Sequence, residues 1–312
     1  MPGLGPVPDE GHIRLGTRRS PLAMAQAHHV ADLLEKQAPV AVEIVGIETS
    51  GDRFQGSLSE HGGKGAFLRE IDHALLTGTV DLAVHCLKDV PGNVPPPEGL
   101  EWPAYLERGD TRDVMLFPMT SGITGMADLP SGARVGTSAV RRRAQLRRLR
   151  PDLRVEHLRG NVNSRLARLD AGEEFHAIVL AHVGLARLGL ERPYETLDML
   201  PAVGAGVLAI ASRSADPRLT ELLGRLDHAR TRTCVAAERR MLFELNGDCD
   251  SPIAGRARYE PDGRLSLEGM VFDRDGDRSV HFRMQAAPEQ AESLGASVAA
   301  GLLRQGARDL IG

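Results

Sequence analysis

The sequence contains few residues of several types, and each scarcity excludes a class of protein. Aromatic residues make up 4% of the 312 residues, too few for the stacking platform with which proteins bind single-stranded nucleic acid. The three cysteines include no CxxC pair, so neither a disulfide framework nor a zinc ribbon is indicated. No apolar run approaches the roughly 18 residues that a membrane-spanning helix requires. We therefore expect a cytoplasmic protein without a membrane segment.

Lysine is also scarce. Of the 38 basic residues, 35 are arginine, and only Lys36, Lys64 and Lys88 are lysine. A genome rich in G and C favours arginine codons, and against that background a retained lysine can mark a position where a compact ammonium suits better than a planar guanidinium. The net charge of −4 and the pI near 6.3 argue against general nucleic-acid binding, for which a basic domain is usual.

The length and the apolar patterning predict an α/β protein of two or three domains, given about 150 residues per domain. In the first two-thirds, short apolar runs such as VAVEIVGIE, DLAVH, DVMLF, HAIVLA and GVLAIA are separated by helix-length segments. This alternation is typical of βα units in mainly parallel sheets. After the helical stretch TRTCVAAERRMLFEL, the runs IAGRARYE, RLSLEGMVFD and SVHFRMQ alternate like antiparallel strands, and a final helical pattern follows.

Two breaks divide the predicted α/β part into lobes. They lie near residues 109–113 and 201–207, so that the chain would cross twice between the lobes. The predicted domains are a first lobe of residues 12–112 and 207–230, a second lobe of residues 113–206, and a small α+β domain of residues 231–312. A cleft between two such lobes is the expected ligand site.

Three predicted strand-to-helix turns carry arginine: TRRS at 17–20, GTS at 136–138, which leads to Arg141 and Arg142, and RGN at 159–161, which leads to Arg165. The free N–H groups of a helix N-terminus bind anions, and an arginine fork adds bidentate recognition of carboxylate or phosphate. Because such turns gather at the carboxyl ends of the strands of an open sheet, we expect a ligand with several separate negative charges.

The helix after Ser138 contains arginines of two kinds. Arg141 and Arg142 fall in its first turn, where positive charge opposes the helix dipole, so a bound anion accounts for them best. A solvated basic helix face accounts better for the later ones, which are Arg143, Arg147, Arg148 and Arg150.

Two further motifs contain reactive side chains. Lys88 and Asp89 follow the run VDLAV in HCLKDVP, just beyond a predicted strand end. A carboxylate among these cations is expected to be ionised and could stabilise a cationic intermediate or move a proton, although a loop salt bridge is equally compatible. Cys249 lies in a turn between Asp248 and Asp250, whose charges disfavour its thiolate. By position alone Cys249 is a loop cysteine, whereas Cys86 and Cys234 fall in apolar patterns typical of buried cysteines.

Seven motifs occur in order along the chain: IRLGTRRSPLAMAQA, GGKGAFLREI, AVHCLKDVP, VGTSAVRRRAQL, LRGNVNSRL, PAVGAGV and GDCDSPIAG. In these motifs, from about residue 13 onward, the chain closely resembles the porphobilinogen deaminase (hydroxymethylbilane synthase) family. The resemblance implies two lobes like those of type II periplasmic binding proteins and a small third domain. It also implies a monomer in the cytoplasm, with porphobilinogen as substrate and no nucleic acid, membrane or metal as partner.

The resemblance further implies a mechanism. Cys249 would hold a dipyrromethane cofactor through a thioether. Asp89 would be the catalytic residue, which assists loss of ammonia from porphobilinogen and stabilises the azafulvene-like cation. Four porphobilinogen molecules would be joined in turn before water releases hydroxymethylbilane. The residues that match binding positions for cofactor or substrate are Arg18, Ser20, Lys64, Lys88, Thr137, Ser138, Arg141, Arg142, Arg159, Gly160, Arg165 and Arg187.

Three positions depart from the family pattern: Ala139 replaces a frequent serine, Ala205 a common glutamine, and Asp248 the usual glycine. The first two side chains therefore cannot serve as ligands. Two other functions remain open at this point. One is a solute-binding protein with the same two lobes, which the Cys249 motif disfavours, and the other is a nucleic-acid binder that uses the basic helix after Ser138.

Overall fold

The computed structural model describes residues 11–53, 65, 67–214, 216–248 and 250–311. Lys64 and Cys249, both predicted as site residues, lie outside the described residues. The chain divides into two compact units. The first contains the residues up to Arg108 together with Gly206–Arg232, and the second contains Gly109–Ala205 together with the residues from Thr233 onward. The division into three domains stays a prediction.

The secondary structure follows a βα pattern and then a β-sheet with helices. The strands are β1 (His12–Arg18), β2 (Ala41–Ile47), β3 (Leu82–Cys86), β4 (Leu100–Tyr105), β5 (Asp113–Leu116), β6 (Arg134–Gly136), β7 (Arg154–Glu156), β8 (Ala177–Ala181), β9 (Tyr194–Thr196), β10 (Leu208–Arg213), β11 (Ile253–Tyr259), β12 (Leu265–Phe272) and β13 (Ser279–Ala286). The α-helices are α1 (Pro21–Gln37), α2 (Ser50–Arg53), α3 (Arg69–Leu76), α4 (Val140–Leu149), α5 (Val162–Asp170), α6 (His182–Arg187), α7 (Pro217–Gly224), α8 (Ala229–Glu244), α9 (Ala291–Arg304) and α10 (Ala307–Ile311).

Each unit contains a five-stranded mixed sheet. The first has the order β2-β1-β3-β10-β4 and the second the order β7-β6-β8-β5-β9. In the first, β1 is parallel to β2 and β3, whereas β10 is antiparallel to β3 and β4; β5 takes the place of β10 in the second. Four strands of each sheet therefore point the same way. The predicted α/β fold, with two lobes built on mainly parallel sheets, is confirmed.

The strands that the sequence did not reveal are β4 and β9. Pro103 interrupts the run that forms β4 and lacks a backbone N–H, and β4 lies at the edge of its sheet, where proline is tolerated. β9 has three residues and also lies at an edge. The helix start predicted after β1 is confirmed, because the Ser20 hydroxyl caps α1 by accepting the Ala23 N–H at 3.4 Å and Pro21 occupies the first turn.

A buried carboxylate holds two arginines in each unit. In the first unit, Asp81 accepts bonds from the Arg14 side chain at 2.9 and 3.0 Å and from Arg213 at 3.3 Å. In the second unit, Asp113 accepts from Arg141 Nη1 at 2.6 Å and from Arg142 Nη2 at 2.7 Å. Burial alone would raise the pKa of Asp113, but the charges and hydrogen bonds of the two arginines lower it well below its usual value.

This pairing corrects the sequence-based explanation of Arg141 and Arg142. Both side chains are buried, and the anion at the start of α4 is Asp113 of the chain itself. Arg141 also donates to the Leu200 carbonyl at 3.2 Å, and Arg142 to the Val179 carbonyl at 3.1 Å. Two guanidinium groups share one carboxylate, so one positive charge remains in excess at the helix start. Whether an external anion uses that charge stays a prediction.

The three C-terminal strands form an antiparallel sheet in the order β11-β12-β13, as predicted. Residues of α8 and α9, among them Met241, Leu294 and Val298, pack with Leu267 of β12 in one core. A smaller cluster joins Ala254 and Phe272 of this sheet to Ala144 of α4.

The outer face of α4 contacts the hairpin turn between β12 and β13. Arg143 donates from Nε and Nη2 to the Arg274 carbonyl at 3.2 and 2.8 Å. Arg147, one helical turn later, donates to the carbonyl and the carboxylate of Asp275, both at 3.1 Å. The prediction that both arginines belong to a solvated face is wrong. Positions four apart on a helix lie on the same side, and this side of α4 contacts the carbonyl groups of Arg274 and Asp275.

The remaining two arginines of that group differ. Arg148 is exposed, as predicted. Arg150 donates to the Met126 carbonyl at 2.7 Å and pairs with Asp152 at 2.8 Å, so it joins the end of α4 to neighbouring loops rather than facing only solvent. Three of these four arginines, Arg143, Arg147 and Arg150, thus make structural contacts.

We predict that Asp113→Asn destabilises the protein by about 3–5 kcal/mol, because it leaves two buried guanidinium groups without their counter-ion. Equilibrium urea unfolding followed by circular dichroism measures this change. The matched control is Glu244→Gln, which removes the exposed pair with Arg240 on α8 and should cost less than about 0.5 kcal/mol. Equal losses in the two variants would contradict the importance of the buried cluster.

We also predict different costs for alanine in two hairpin turns of the C-terminal sheet. Gly263 and Gly276 both have φ of +84°. Apart from its two chain neighbours, no described residue has an atom within 4 Å of a Cβ at 263, whereas a Cβ at 276 would lie 2.6 Å from the Ala144 carbonyl oxygen. Gly263→Ala should cost about 1–2 kcal/mol for the left-handed backbone alone. Gly276→Ala should cost a further 1–3 kcal/mol or so for the overlap. The same urea titration compares them, and equal costs would contradict a tight contact.

Candidate functional site

At the carboxyl end of the first sheet, the structure brings together three predicted site residues. Arg18 is the last residue of β1, and Lys88 and Asp89 lie in a 3₁₀ turn, Leu87–Asp89, directly after β3. Because β1 and β3 are parallel neighbours, their ends lie at the same edge. The Leu87 N–H donates to the Val207 carbonyl at 3.0 Å. The turn that presents the half-buried Lys88 and Asp89 is therefore held against the start of β10.

An aromatic ring lies at the same edge. The guanidinium of Arg18 is 4.0 Å from the centre of the Phe67 ring, a cation–π distance. Phe67 is not among the predicted site residues, although the GGKGAF motif contains it as a single aromatic residue after three glycines. The hydroxyl of Ser20 caps α1, so it shapes the turn after Arg18.

His85 lies on β3, four residues before Asp89. Its side chain is 7% exposed, and Nε2 has no hydrogen-bond partner within the part of the chain that the structure describes. The ring meets Trp102 edge to face, with centroids 5.3 Å apart. Burial, and next the charge of Arg18, lower the pKa of His85 to about 4. The imidazole is therefore neutral at pH 7.

The second sheet gathers the other predicted residues in the same way. β6 is parallel to β7 and to β8, so the residues after these strands meet at one edge: Thr137 and Ser138 after β6, Arg159 and Gly160 after β7, and α6 with Arg187 after β8. Thr137 is buried, and its hydroxyl accepts the Ala139 N–H at 3.4 Å. Ala139 caps α4 without a side-chain hydrogen bond, as expected from the loss of serine there.

Arg159 carries an unpaired donor. Its Nη1 is buried and has no hydrogen-bond partner among the described residues, and leaving such a group unpaired costs free energy. Arg165 donates from Nε to the Gly160 carbonyl at 2.7 Å. Gly160 has φ of +111°, and a Cβ there would overlap the Ser164 hydroxyl. Position 160 therefore requires glycine. The preceding residue, Arg159, is the one whose Nη1 lacks a hydrogen-bond partner among the described residues.

Hydrogen bonds join the residues on either side of Cys249. The Asp248 carboxylate accepts the Asp250 N–H at 3.0 Å and the Ser251 hydroxyl at 2.9 Å. The Ser251 hydroxyl in turn accepts the Asp248 N–H at 2.9 Å. Asp248, the departure from the usual glycine, thus adds hydrogen bonds to the turn. Burial, followed by the charge of Asp248, raises the pKa of Asp250, although Arg274, His157 and Arg143 act in the opposite direction.

The other two cysteines and the third departure have structural surroundings. Cys234 is buried in the core of the C-terminal sheet, as predicted. The prediction that Cys86 is buried is wrong: it is half-buried, and its sulfur accepts a hydrogen bond from the Gln26 amide at 3.1 Å. Ala205 is buried, so its methyl group fills core space.

Two other kinds of site are absent from the described part of the chain. No group of three or more His, Cys, Asp and Glu side chains there could hold a metal ion. No helix there has the length and apolar character to cross a membrane.

Each unit by itself presents positive charge that suits an anionic ligand. Arg18 and Lys88 supply positive charge at the edge of the first sheet, and the Arg141–Arg142 pair leaves one charge in excess at the edge of the second. The unpaired nitrogen of Arg159 requires an acceptor such as a carboxylate oxygen.

Comparisons with known proteins agree with this chemistry. Residues 13–221 match the family model described as porphobilinogen deaminase, dipyromethane cofactor binding domain, and residues 232–304 match the porphobilinogen deaminase C-terminal domain. Porphobilinogen deaminase 2 of Streptomyces coelicolor is 45% identical over 304 residues, 96% of each chain. Porphobilinogen deaminase of Xanthomonas campestris is 47% identical over 305 residues, 96% of this chain and 98% of the relative.

Among solved structures, a periplasmic substrate-binding protein of an ABC transporter from Coxiella burnetii is similar, with 16% identity and a TM-score of 0.45, over 69% of this chain and 91% of that chain. The two family models together match nearly the whole chain, and the curated relatives match over nearly their full length. The chain therefore belongs to the porphobilinogen deaminase family.

Proposed function

We propose a specific set of residues for the reaction of this family member, which condenses four porphobilinogen molecules on a dipyrromethane cofactor and releases hydroxymethylbilane. Asp89 is the catalytic residue and Cys249 the attachment residue. The residues proposed to bind the carboxylates and polar groups of cofactor and substrate are Arg18, Ser20, Lys64, Lys88, Thr137, Ser138, Arg141, Arg142, Arg159, Gly160, Arg165 and Arg187. We further propose that the enzyme acts as a monomer in the cytoplasm.

The observation that carries the proposal is the placement of Asp89. It lies in a short turn at the carboxyl end of β3, beside Lys88 and at the same sheet edge as Arg18. A carboxylate at a sheet edge that also carries Lys88 and Arg18, in a turn whose first residue, Leu87, is hydrogen-bonded to Val207, is suited to direct hydrogen bonding and proton transfer at one place on a substrate.

The cations bind and orient the substrate. Arg18 and Lys88 pair with carboxylate side chains of porphobilinogen, and the face of Phe67 beside Arg18 provides an apolar surface. These contacts hold the pyrrole ring so that its N–H and its aminomethyl group are within reach of one carboxylate. Fixed contacts of this kind reduce the entropic cost of the reaction.

Asp89 then serves the carbon–nitrogen cleavage. Its carboxylate accepts a hydrogen bond from the pyrrole N–H. The substrate's protonated aminomethyl group leaves as ammonia with the electron pair of the carbon–nitrogen bond, and the negative charge of Asp89 stabilises the cation that remains on the substrate. When bound, the dipyrromethane supplies the pyrrole carbon to which substrate units are joined. Arg159, with its unpaired nitrogen, and the excess charge beside Arg141 and Arg142 are the proposed carboxylate contacts in the second unit.

A solute-binding function in the same two lobes requires only reversible binding, so covalent modification at Cys249 separates the two functions. We predict that mass spectrometry of the purified protein finds an adduct of two condensed pyrrole units on the peptide that contains Cys249. Cys249→Ser should lose the adduct and the activity together. The matched controls Cys86→Ser and Cys234→Ser should keep both, provided that they fold. An unmodified Cys249 peptide from active enzyme would exclude the attachment.

We predict that Asp89→Asn lowers turnover by roughly 10²- to 10⁴-fold, the usual scale of general acid–base assistance. The substitution keeps the shape of the side chain but removes its charge. Steady-state rates of porphobilinogen consumption measure the effect, and the cofactor content of the same sample is determined by intact mass, because failed assembly would resemble a catalytic defect. Normal turnover in fully loaded Asp89→Asn enzyme would remove Asp89 from the mechanism.

A further inference from the structure

His85 is a buried polar side chain that the residues proposed above do not include. It lies at the edge where β3 delivers Lys88 and Asp89, and it is near enough to Arg18 for the guanidinium charge to affect its ionisation. The edge-to-face contact with Trp102 holds the ring in one orientation. An uncharged imidazole therefore lies next to the proposed carboxylate contacts.

A purely structural role leaves one atom of His85 unexplained. Packing against Trp102 accounts for the burial of the ring carbons, but Nε2 is buried without a hydrogen-bond partner in the described part of the chain. Native proteins rarely leave a buried polar atom unpaired, and such an atom calls for a water, an ion or a ligand as its partner. A phenylalanine would fill the same space without that cost.

A charge switch does not explain His85 either. Burial and the neighbouring Arg18 hold its pKa near 4, so the ring neither gains nor loses charge close to neutral pH. A neutral imidazole has one ring nitrogen that donates a hydrogen bond and one that accepts. Beside an arginine that binds a carboxylate, the donor can contact the same carboxylate without adding charge.

We propose that His85 is a further ligand-binding residue, whose Nε2–H donates a hydrogen bond to a pyrrole carboxylate bound by Arg18. The inference rests on the proposed function, because it needs a carboxylate-bearing pyrrole at this edge of the first sheet. That carboxylate belongs either to the incoming porphobilinogen or to the attached dipyrromethane. The two sources share the same chemistry and differ in which step of the reaction depends on the contact.

The test compares His85→Gln, which retains an amide N–H, with His85→Phe, which fills the space and donates nothing. His73→Phe, at an exposed position of α3 in the same unit, is the matched control. Three quantities are measured: cofactor occupancy by intact mass, KM and kcat for porphobilinogen on loaded enzyme, and the thermal unfolding temperature. Removal of one hydrogen bond to a carboxylate should weaken binding by roughly 13- to 150-fold.

If the contact is to substrate, His85→Phe raises KM by that factor with kcat and occupancy unchanged. If it is to the cofactor, His85→Phe lowers occupancy after expression with limiting porphobilinogen, and KM of the loaded fraction is unchanged. In either case His85→Gln stays within about threefold of wild type, as expected for retention of the donor, and His73→Phe matches wild type. Unchanged KM and occupancy in His85→Phe, together with a higher unfolding temperature, would overturn the proposal and identify His85 as a core residue.

A second measurement covers the case in which His85→Phe does not fold. In ¹⁵N-histidine-labelled wild-type protein, long-range proton–nitrogen spectra should show a protonated Nε2 for His85, and that signal should shift when porphobilinogen is added or when the apoprotein is loaded. An unprotonated or unshifted Nε2 overturns the proposal. If wild type carries no adduct and consumes no porphobilinogen, the proposed function fails; if wild type is active and His85 does not respond, only this inference fails.

Discussion

The carboxylate of Asp113, shared by Arg141 and Arg142, is the interaction on which the second unit depends. Asp113 begins β5, the first strand after the chain enters this unit, and the two arginines occupy the first turn of α4. Through their further bonds to the carbonyls of Leu200 and Val179, the arginines join α4 to the central strand β8 and to the segment before the second crossing. Polar groups in water gain little from such contacts, but in a buried site an ion pair left incomplete is costly.

The position of α4 has consequences at both of its sides. Its start follows the Thr137–Ser138 turn at the carboxyl end of β6, and its outer face holds the hairpin between β12 and β13 through Arg143 and Arg147. The first unit shows a comparable arrangement, with Asp81 between Arg14 and Arg213. In each unit two guanidinium groups donate hydrogen bonds to one carboxylate. The buried carboxylate is thereby paired, and one positive charge remains in excess near the sheet.

Much of the fold follows from local signals in the sequence. Most strands of the two large sheets and all three of the C-terminal sheet follow from apolar runs, and the cap at Ser20 followed by Pro21 gives the start of α1. The edge strands β4 and β9 do not follow, because their pairing depends on a neighbouring reversed strand that lies far away in the sequence. Long-range pairing of this kind leaves no periodic pattern.

Contacts between residues far apart in the sequence also limited the prediction of the site residues. The positions of Arg18, Lys88 and Asp89 at strand ends could be read from the sequence, since parallel strands bring such ends together. The partner of Arg141 and Arg142 could not, because the sequence shows their charge but not Asp113, which is 28 and 29 positions away. Arg143 and Arg147 looked equally solvated for the same reason, as their partners are main-chain carbonyls of a hairpin more than 120 positions later.

The contrast between the two hairpin turns of the C-terminal sheet has a practical consequence. The turn at Gly263 has open space around it, whereas the backbone at Gly276 lies against Ala144 of α4. Exposed loop tips of the first kind are where proteins accept inserted peptides. An affinity tag or a fluorescent probe for following loading in real time therefore belongs between Asp262 and Gly263, and the other turn should be left intact.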